Sequence, residues 1–225
     1  AELDNGVTVT ATPDIDELDA GTSDFGGVTL KIASETASLT YGDVNGAAND
    51  NCSSVGDMDS DGFYEQDGET VLRGDMSFGD IALPTSYEVT GETLVGLNVT
   101  ASATFGSVSV AGAYQADDGV GAEEIFGVRA GVAVAVAGAD IALGYASNET
   151  TGSTSTGVSV SYPVGPVTLA ASYVDESAGD ANWNVSAAYA AGAVAVKAST
   201  DESDMWAIEG SYDMGNGLTV LGGAA

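Results

Sequence analysis

Hydrophobic residues recur at every second position along most of this chain, which is the spacing of a β-strand and not that of a helix. In "GSVSVAGAYQ", for example, Val108, Val110 and Tyr114 share one face, and small or polar residues occupy the other. Further segments with the same alternation follow toward residue 225, with turn residues between them. The pattern predicts an all-β chain folded as an antiparallel meander.

The connections between the predicted strands alternate between short and long. Short ones, such as "FGS" at 105–107 and "PVGP" at 163–166, carry almost no charge. Long ones, such as "QADDGVGAEEI" at 115–125 and "SNETTGSTS" at 147–155, are acidic or polar. A soluble sandwich has no reason to sort its loops in this way. An antiparallel transmembrane β-barrel does, because its short turns face the periplasm and its long loops face outside.

Aromatic residues on the apolar face lie close to the ends of the predicted strands. Amphipathic rings favour the two interfaces of a membrane, so this placement predicts two aromatic belts. Core aromatics that flank turns in a sandwich are the alternative interpretation. The belt beside the short turns comprises Tyr162, Tyr189 and Tyr212, and the belt beside the long loops comprises Tyr114, Tyr145, Tyr173, Trp183 and Trp206.

The charge balance is strongly acidic, with 34 acidic residues, 4 basic residues, no histidine and a formal net charge of −30. Nucleic acids and anionic lipid head groups are therefore excluded as expected partners, whereas divalent cations suit such a chain. The absence of histidine also excludes a Ser–His–Asp triad and a histidine-ligated zinc. No enzymatic activity is expected.

The basic residues on the predicted strands support the barrel. Lys31, Arg129 and Lys197 each stand between apolar neighbours that face outward, so all three are predicted to face inward. A basic side chain that faced lipid at the middle of a bilayer would cost about 2–4 kcal/mol.

Three segments, "ELDNGVTVTATPDID", "DAGTSDFGGVTLKIASETASLTYGDVNGA" and "EGSYDMGNGLTVLGGAA", resemble general diffusion porins of alphaproteobacteria, including purple phototrophs. The resemblance covers most of the chain and implies a single barrel domain over residues 1–225, with sixteen strands when complete. It also implies a homotrimer in the outer membrane of a Gram-negative bacterium. In such porins the segment after a motif like "LTYGDVNGA" folds into the barrel and narrows it, which places a constriction loop at about Asp43 to Pro84.

The sequence departs from this resemblance in three ways. About twelve or thirteen strands can be counted. The chain begins where a porin would already have formed its first strands and stops at "LGGAA", so an incomplete porin is expected. Porins of this kind usually set a basic cluster against the acidic loop, and only four cations are available here.

The predicted constriction loop contains "VGDMDSDGFYEQDGE", which begins as an EF-hand calcium loop does, with acids at positions 1, 3 and 5 and glycine at position 6. Position 12 is Gly68 instead of glutamate, so a nearby acid would have to supply that ligand. Hard oxygen donors favour Ca²⁺. A solvated acidic loop without metal is the alternative. The candidate ligands are Asp57, Asp59, Asp61, the Phe63 carbonyl and Glu65.

These observations predict a water-filled channel through which ions and small hydrophilic solutes diffuse, with membrane lipid around it. The excess of carboxylates predicts a preference for cations. A secreted, acidic, calcium-binding β-sandwich, such as an adhesin or surface-layer module, is the alternative. The residues predicted to line the pore or its constriction are Lys31, Asp67, Glu69, Arg73, Asp75, Arg129, Lys197 and Glu209.

Overall fold

The computed structural model describes residues 2–3, 6–15, 25–52, 54–59, 62–63, 70–116, 118, 123–134 and 138–225. In this part of the chain there are sixteen strands and one short helix, α1. The strands are β1 (Thr8–Ile15), β2 (Phe25–Ala33), β3 (Ala37–Gly42), β4 (Val71–Phe78), β5 (Ile81–Ala82), β6 (Thr85–Thr90), β7 (Thr93–Phe105), β8 (Val108–Gln115), β9 (Ile125–Val134), β10 (Ala139–Asn148), β11 (Ser153–Val164), β12 (Val167–Glu176), β13 (Asn182–Ala191), β14 (Val194–Asp201), β15 (Trp206–Gly215) and β16 (Leu218–Ala224), and α1 is Ala47–Asn51.

All sixteen strands belong to one antiparallel sheet whose order follows the chain. β5 and β6 both pair with β4 and β7, so together they act as one interrupted strand. The interruption falls at Leu83 and Pro84. Proline has no N–H group to donate to the sheet, and it is tolerated at such a break.

The expected count of twelve or thirteen strands was too low, because part of the predicted constriction loop is strand. β4 pairs with β3 on one side and with β5 and β6 on the other. The segment between β3 and β4 therefore runs from Asp43 to Thr70, and the predicted boundary near Pro84 was too late. Arg73, which had been assigned to the loop, lies on β4 with Asp75.

The strands also extend into segments that the sequence had suggested were long loops. Asn148 pairs with Ser153, which leaves only residues 149–152 to connect β10 to β11, whereas a loop over 147–155 had been predicted. Serine, threonine and asparagine were interpreted as loop residues there. In this sheet they continue the backbone pairing beyond the apolar part of the strand.

The two faces of the sheet differ in chemistry. The outer face carries Val108, Val160, Leu169, Val185 and Ile208 among other large apolar residues, all of them exposed. The opposite face is termed the loop face here, because the segment 43–70 packs on it. Its residues include Ser109, Ser172, Asn184 and Glu209, and the register pairs Ser172 with Asn184 and Lys197 with Glu209. An apolar surface as extensive as the outer face requires a non-aqueous neighbour.

All eight residues predicted to form aromatic belts lie on the outer face. Tyr173, for example, pairs with Val158 and Trp183, and Tyr212 pairs with Val194 and Val220. Four aromatic residues that were not among the predicted belts share this face near strand ends, namely Tyr41, Phe78, Phe105 and Phe126. Their function as membrane belts stays a prediction.

The buried apolar residues lie between the segment 43–70 and the loop face. One cluster contains Ala48, Cys52, Phe63, Ala113 and Ile125. A second cluster contains Val55, Met58, Ala142, Ala146 and Val174. Each cluster joins residues of the loop to residues of the wall. Among the residues that the structure describes, no helix is long and apolar enough to cross a membrane.

The outer face can be distinguished from the loop face by adding a charge to neighbouring positions of β11. Val160→Lys places an ammonium group toward lipid and should lower the free energy of unfolding in vesicles by about 2–4 kcal/mol. Ser161→Lys is the control, because Ser161 is on the loop face. Denaturant titrations in lipid vesicles measure both values. Equal losses for the two variants would contradict the assignment of the faces.

Candidate functional site

The segment between β3 and β4, residues 43–70, forms what is termed the inner loop here. Residues 43–52, 54–59, 62–63 and 70 of the inner loop are described. The described part of the inner loop lies across the loop face from β4, where Asp50 pairs with Arg73, to β13. It contacts each strand from β6 to β13. The contacts differ in kind along the path, and they change from polar to apolar and back to polar.

The first anchor of the inner loop is the start of α1. The Ala47 amide donates to Ser86 Oγ at 2.8 Å, and Thr100 Oγ1 donates to the Ala47 carbonyl at 2.9 Å. All three residues are fully buried. A helix of five residues leaves most of its terminal amides without partners inside the helix. Here a wall serine takes the place of an N-cap side chain, since none of the loop's own side chains caps α1.

Arg73 holds the same end of the inner loop electrostatically. Its guanidinium group forms ion pairs with Asp50 on α1 and with Asp75 on β4, the latter at 3.0 Å. It also donates to the Asn45 carbonyl at 3.2 Å. Ser38 on β3 donates to the second oxygen of Asp75 at 3.3 Å, which orients that carboxylate. One arginine thus links the loop, its helix and two strands of the wall.

The middle of the inner loop is held by apolar contacts with very small wall residues. Phe63 and Cys52 lie over Gly127 on β9. Val55 and Met58 lie over Gly144 on β10 and its neighbour on β11. Larger side chains at these wall positions would occupy the volume that the loop fills. The loop therefore lies as close to the backbone of the sheet as packing permits.

The turn of the inner loop at Asp57 and Asp59, which lies on β12 and β13, is held by a buried carboxylate on β12. Glu176 is 9 % exposed, and its Oε1 accepts a hydrogen bond from the Asp59 amide at 3.0 Å. Its Oε2 accepts a hydrogen bond from Ser155. Asn182 on β13 donates to the Asp57 carbonyl at 3.4 Å. Both Glu176 oxygens therefore have donors, which a buried carboxylate requires.

The described part of the inner loop covers one side of the wall. Some loop-face residues of β6 to β12 are buried beneath it, namely Ser86, Thr100, Ser155 and Glu176. Ser109 and Asp140, on the same set of strands, are exposed. Lys31 on β2, Lys197 on β14 and Glu209 on β15 are also exposed. These strands are termed the uncovered wall here.

The predicted calcium ligands are only partly described. The side chains of Asp57 and Asp59 are exposed, while the side chain of Phe63 is buried against the wall. Asp61 and Glu65, as well as the pore candidates Asp67 and Glu69, lie outside the described residues. Within the described ranges, no three or more acidic or cysteine side chains are close enough together to hold a metal ion.

The other predicted pore residues occupy defined positions on the loop face. Arg73 and Asp75 are beneath the start of the inner loop. Arg129 is on β9, where its register partner Gly144 faces the loop, and it is half-buried. Lys31, Lys197 and Glu209 are on the uncovered wall. Their contribution to permeation stays a prediction.

Sequence reasoning missed the wall residues that hold the inner loop, namely Ser86, Thr100, Gly127, Gly144, Gly157 and Glu176. A signal for the glycines was present, because three consecutive strands, β9, β10 and β11, carry a glycine at an inward position. Inward glycines in the middle of neighbouring strands indicate that another part of the backbone approaches closely.

A sheet that is apolar outside and carries a loop across its inner face has the architecture of a channel-forming outer-membrane protein. The chain belongs to the Gram-negative porin family, whose family model matches residues 1–225. The protein is thus a channel in the outer membrane of a Gram-negative bacterium and not an enzyme, as predicted. Membership of this family favours the channel over the secreted sandwich.

Solved structures show the same fold. A triple mutant of the Rhodopseudomonas blastica porin matches with a TM-score of 0.72 at 20% identity, over 89% of this chain and 81% of that chain. A double mutant and a quintuple mutant of the same porin match over the same shares at 20% identity, with TM-scores of 0.71 and 0.70. Among curated protein sequences there is no significant match. The predicted antiparallel porin-type barrel and the resemblance to a purple-phototroph porin are confirmed.

The Arg73 anchor can be tested through the thiol of Cys52, which is buried where the inner loop meets the wall. Arg73→Gln removes the charge that holds Asp50, and a hydrogen bond to a charged group contributes about 1.5–3 kcal/mol. Because 1.4 kcal/mol is tenfold in an equilibrium, Cys52 should react with a thiol reagent about ten times faster or more. Lys31→Gln is the control, since no described ion pair joins Lys31 to the loop. Equal rates in both variants would contradict the anchor.

Proposed function

We propose that this porin is a cation-preferring diffusion channel for ions and small hydrophilic solutes. The passage runs between the inner loop and the uncovered wall of β2, β14 and β15. The preference for cations is inferred from the balance of charge on the loop face. Among the strand residues whose side chains are described, seven acids and four cations lie on this face, and on the uncovered wall three of these acids accompany two of the cations. The acids are Asp75, Glu88, Asp140, Glu176, Asp201, Glu209 and Asp213, and the cations are Lys31, Arg73, Arg129 and Lys197.

Neighbouring acids further weaken the field of these cations. Arg73 is engaged by two carboxylates. Lys197 stands directly opposite Glu209 in the register of β14 and β15. Across the passage, the exposed side chains of Asp57 and Asp59 add negative charge from the loop. A passage lined in this way attracts cations and repels anions.

Selectivity should respond in opposite directions to two neighbouring substitutions on the uncovered wall. A unit charge about 8 Å from a permeating ion contributes about 0.5 kcal/mol in water, which is about a twofold effect on permeability. Glu209→Gln should therefore lower the cation-to-anion permeability ratio by roughly twofold, and Lys197→Gln should raise it. Reversal potentials in a salt gradient measure both ratios.

Asp175→Asn is the matched control for this experiment. Asp175 pairs with Thr156 on the outer face, so its charge is directed away from the passage. Its loss should leave the reversal potential close to that of the unsubstituted protein. An anion-selective channel, or the same shift from all three variants, would refute the proposal.

We further propose that Ca²⁺ binds the acidic turn of the inner loop. The support is the spacing of Asp57, Asp59 and Asp61, together with the anchoring of the first two by their backbone groups. That anchoring leaves their carboxylates exposed. Crowded carboxylates repel one another unless a counter-ion is present. The metal would stabilise the turn beside the passage without taking part in the pairing of strands.

Removal of Ca²⁺ should loosen the turn, raise current noise and change single-channel conductance, while the barrel stays folded. Asp59→Asn combined with Asp61→Asn should have the effect of a chelator, because it removes two of the proposed ligands. Asp175→Asn with Asp180→Asn removes two acids outside the inner loop and should leave the response to a chelator intact. Identical traces with excess calcium, with chelator and in the loop variant would show a solvated acidic turn without metal.

The homotrimer is a third proposal, and it depends on the resemblance to general diffusion porins. One observation is compatible with a neighbouring subunit. The outer face has a groove of about 520 Å³ across β2 to β6, and the groove is almost entirely apolar. Its lining includes Ile32, Leu39, Leu72, Gly74 and Met76.

A further inference from the structure

We propose that Gly144 and Gly157 form a notch in the wall that sets how far the inner loop stands from it, and hence how wide the passage is. The inference rests on the proposed function, in which solutes pass between the inner loop and the uncovered wall. It assigns control of width to two wall residues beneath the loop. These residues are covered by the loop and do not line the passage.

The two glycines are direct partners in the sheet. Gly144 on β10 pairs with Gly157 on β11, and both face the inner loop. Their flanking partners in the same row, Arg129 and Val174, carry full side chains. The missing side chains therefore leave a recess two strands wide. Glycine within a strand weakens it, so a pair of glycines is expected where another part of the backbone must approach closely.

The inner loop fills this recess with Val55 and Met58. A Cβ atom added to Gly157 would lie 2.3 Å from the Val55 carbonyl oxygen and 2.9 Å from Met58 Sδ. A Cβ atom added to Gly144 would lie 2.9 Å from Met58 Sδ and from Val55 Cγ2. These distances are far below van der Waals contact, so a methyl group at either position cannot coexist with the loop in its present place.

The two positions differ in what a methyl group would meet. At Gly157 it meets the backbone of the loop, which can yield only if the loop moves as a whole. At Gly144 it meets side-chain atoms of Val55 and Met58, and truncation of both residues to alanine leaves, of these atoms, only Val55 Cβ, at 3.0 Å. This difference allows steric displacement to be separated from a general effect of substituting a strand glycine.

The direction of displacement follows from the geometry. The inner loop cannot move toward the wall, so it must move toward the uncovered wall. Restoring ordinary contact between a methyl group at Gly157 and the Val55 carbonyl requires a shift of about 1 Å. The passage therefore narrows.

Single-channel conductance tests the notch. Gly157→Ala should lower conductance by roughly a tenth or more, because a shift of about 1 Å removes about that share of the width of a nanometre-scale channel. It should also increase the rate at which Cys52 reacts with a thiol reagent several-fold. Gly210→Ala is the control. Gly210 is on the outer face of β15, where an added Cβ would approach nothing closer than 3.9 Å.

A rescue experiment gives the second test. Gly144→Ala should lower conductance as well, and Val55→Ala with Met58→Ala should restore most of that loss. The same two truncations should not restore Gly157→Ala, because the Val55 carbonyl oxygen remains in place. If Gly157→Ala fails to assemble, Gly144→Ala with and without the truncations still decides the question.

The notch is overturned if Gly157→Ala and Gly144→Ala match Gly210→Ala in both conductance and Cys52 reactivity, or if the truncations restore both glycine variants equally. If the proposed function is wrong, the result differs from a failure of the notch, because the unsubstituted protein itself then conducts no current. Cys52 reactivity, measured on the folded protein in detergent, still decides the notch in that case. Faster reaction in Gly157→Ala supports it, and an unchanged rate refutes it.

Discussion

The close contact between the inner loop and a wall of very small residues is the constraint on which the rest of the structure depends. The outer face exposes its apolar side chains on the side away from the loop, so it contributes no core within the protein. Burial of side chain against side chain is concentrated where Phe63, Val55 and Met58 meet the sheet. Larger wall residues would exclude the loop, and a missing loop would leave a wide, smooth barrel. The packing of the loop against the strands beneath it thus determines the space that remains between the loop and the uncovered wall.

Polar contacts add to this packing at two places in the loop, the start of α1 and the turn at Asp59. Ser86 and Thr100 satisfy the backbone at the start of α1, and Glu176 does the same for Asp59. Arg73 adds an ionic anchor at the first of these places. These polar contacts and the close apolar packing between them together restrain the part of the segment that the structure describes. A loop held in this way can present its acidic turn to the passage in a constant position.

The faces of the strands could be predicted from the sequence because a period of two leaves only two choices for each residue. Lys31, Arg129 and Lys197 lie on the predicted face for that reason. The end of the loop could not be predicted equally well, because β4 mixes Gly74 and Met76 with charged residues and is defined by its pairing with distant strands. The notch was also beyond prediction. The glycines and the residues that fill the recess are far apart in the chain, and only the folded loop brings them together.

The strands beneath the loop and the strands of the uncovered wall are under different constraints when the sequence of such a channel changes. Residues beneath the loop are restricted in size, so the positions that it contacts on β6 to β12 can accept few changes without moving the loop. Residues such as Lys31, Lys197 and Glu209 are exposed and lack that restriction. Their charges can be exchanged while the loop keeps its place. Under the proposed function, a lineage or a protein engineer could thus change which solutes are admitted by altering one half of the lumen and conserving the other.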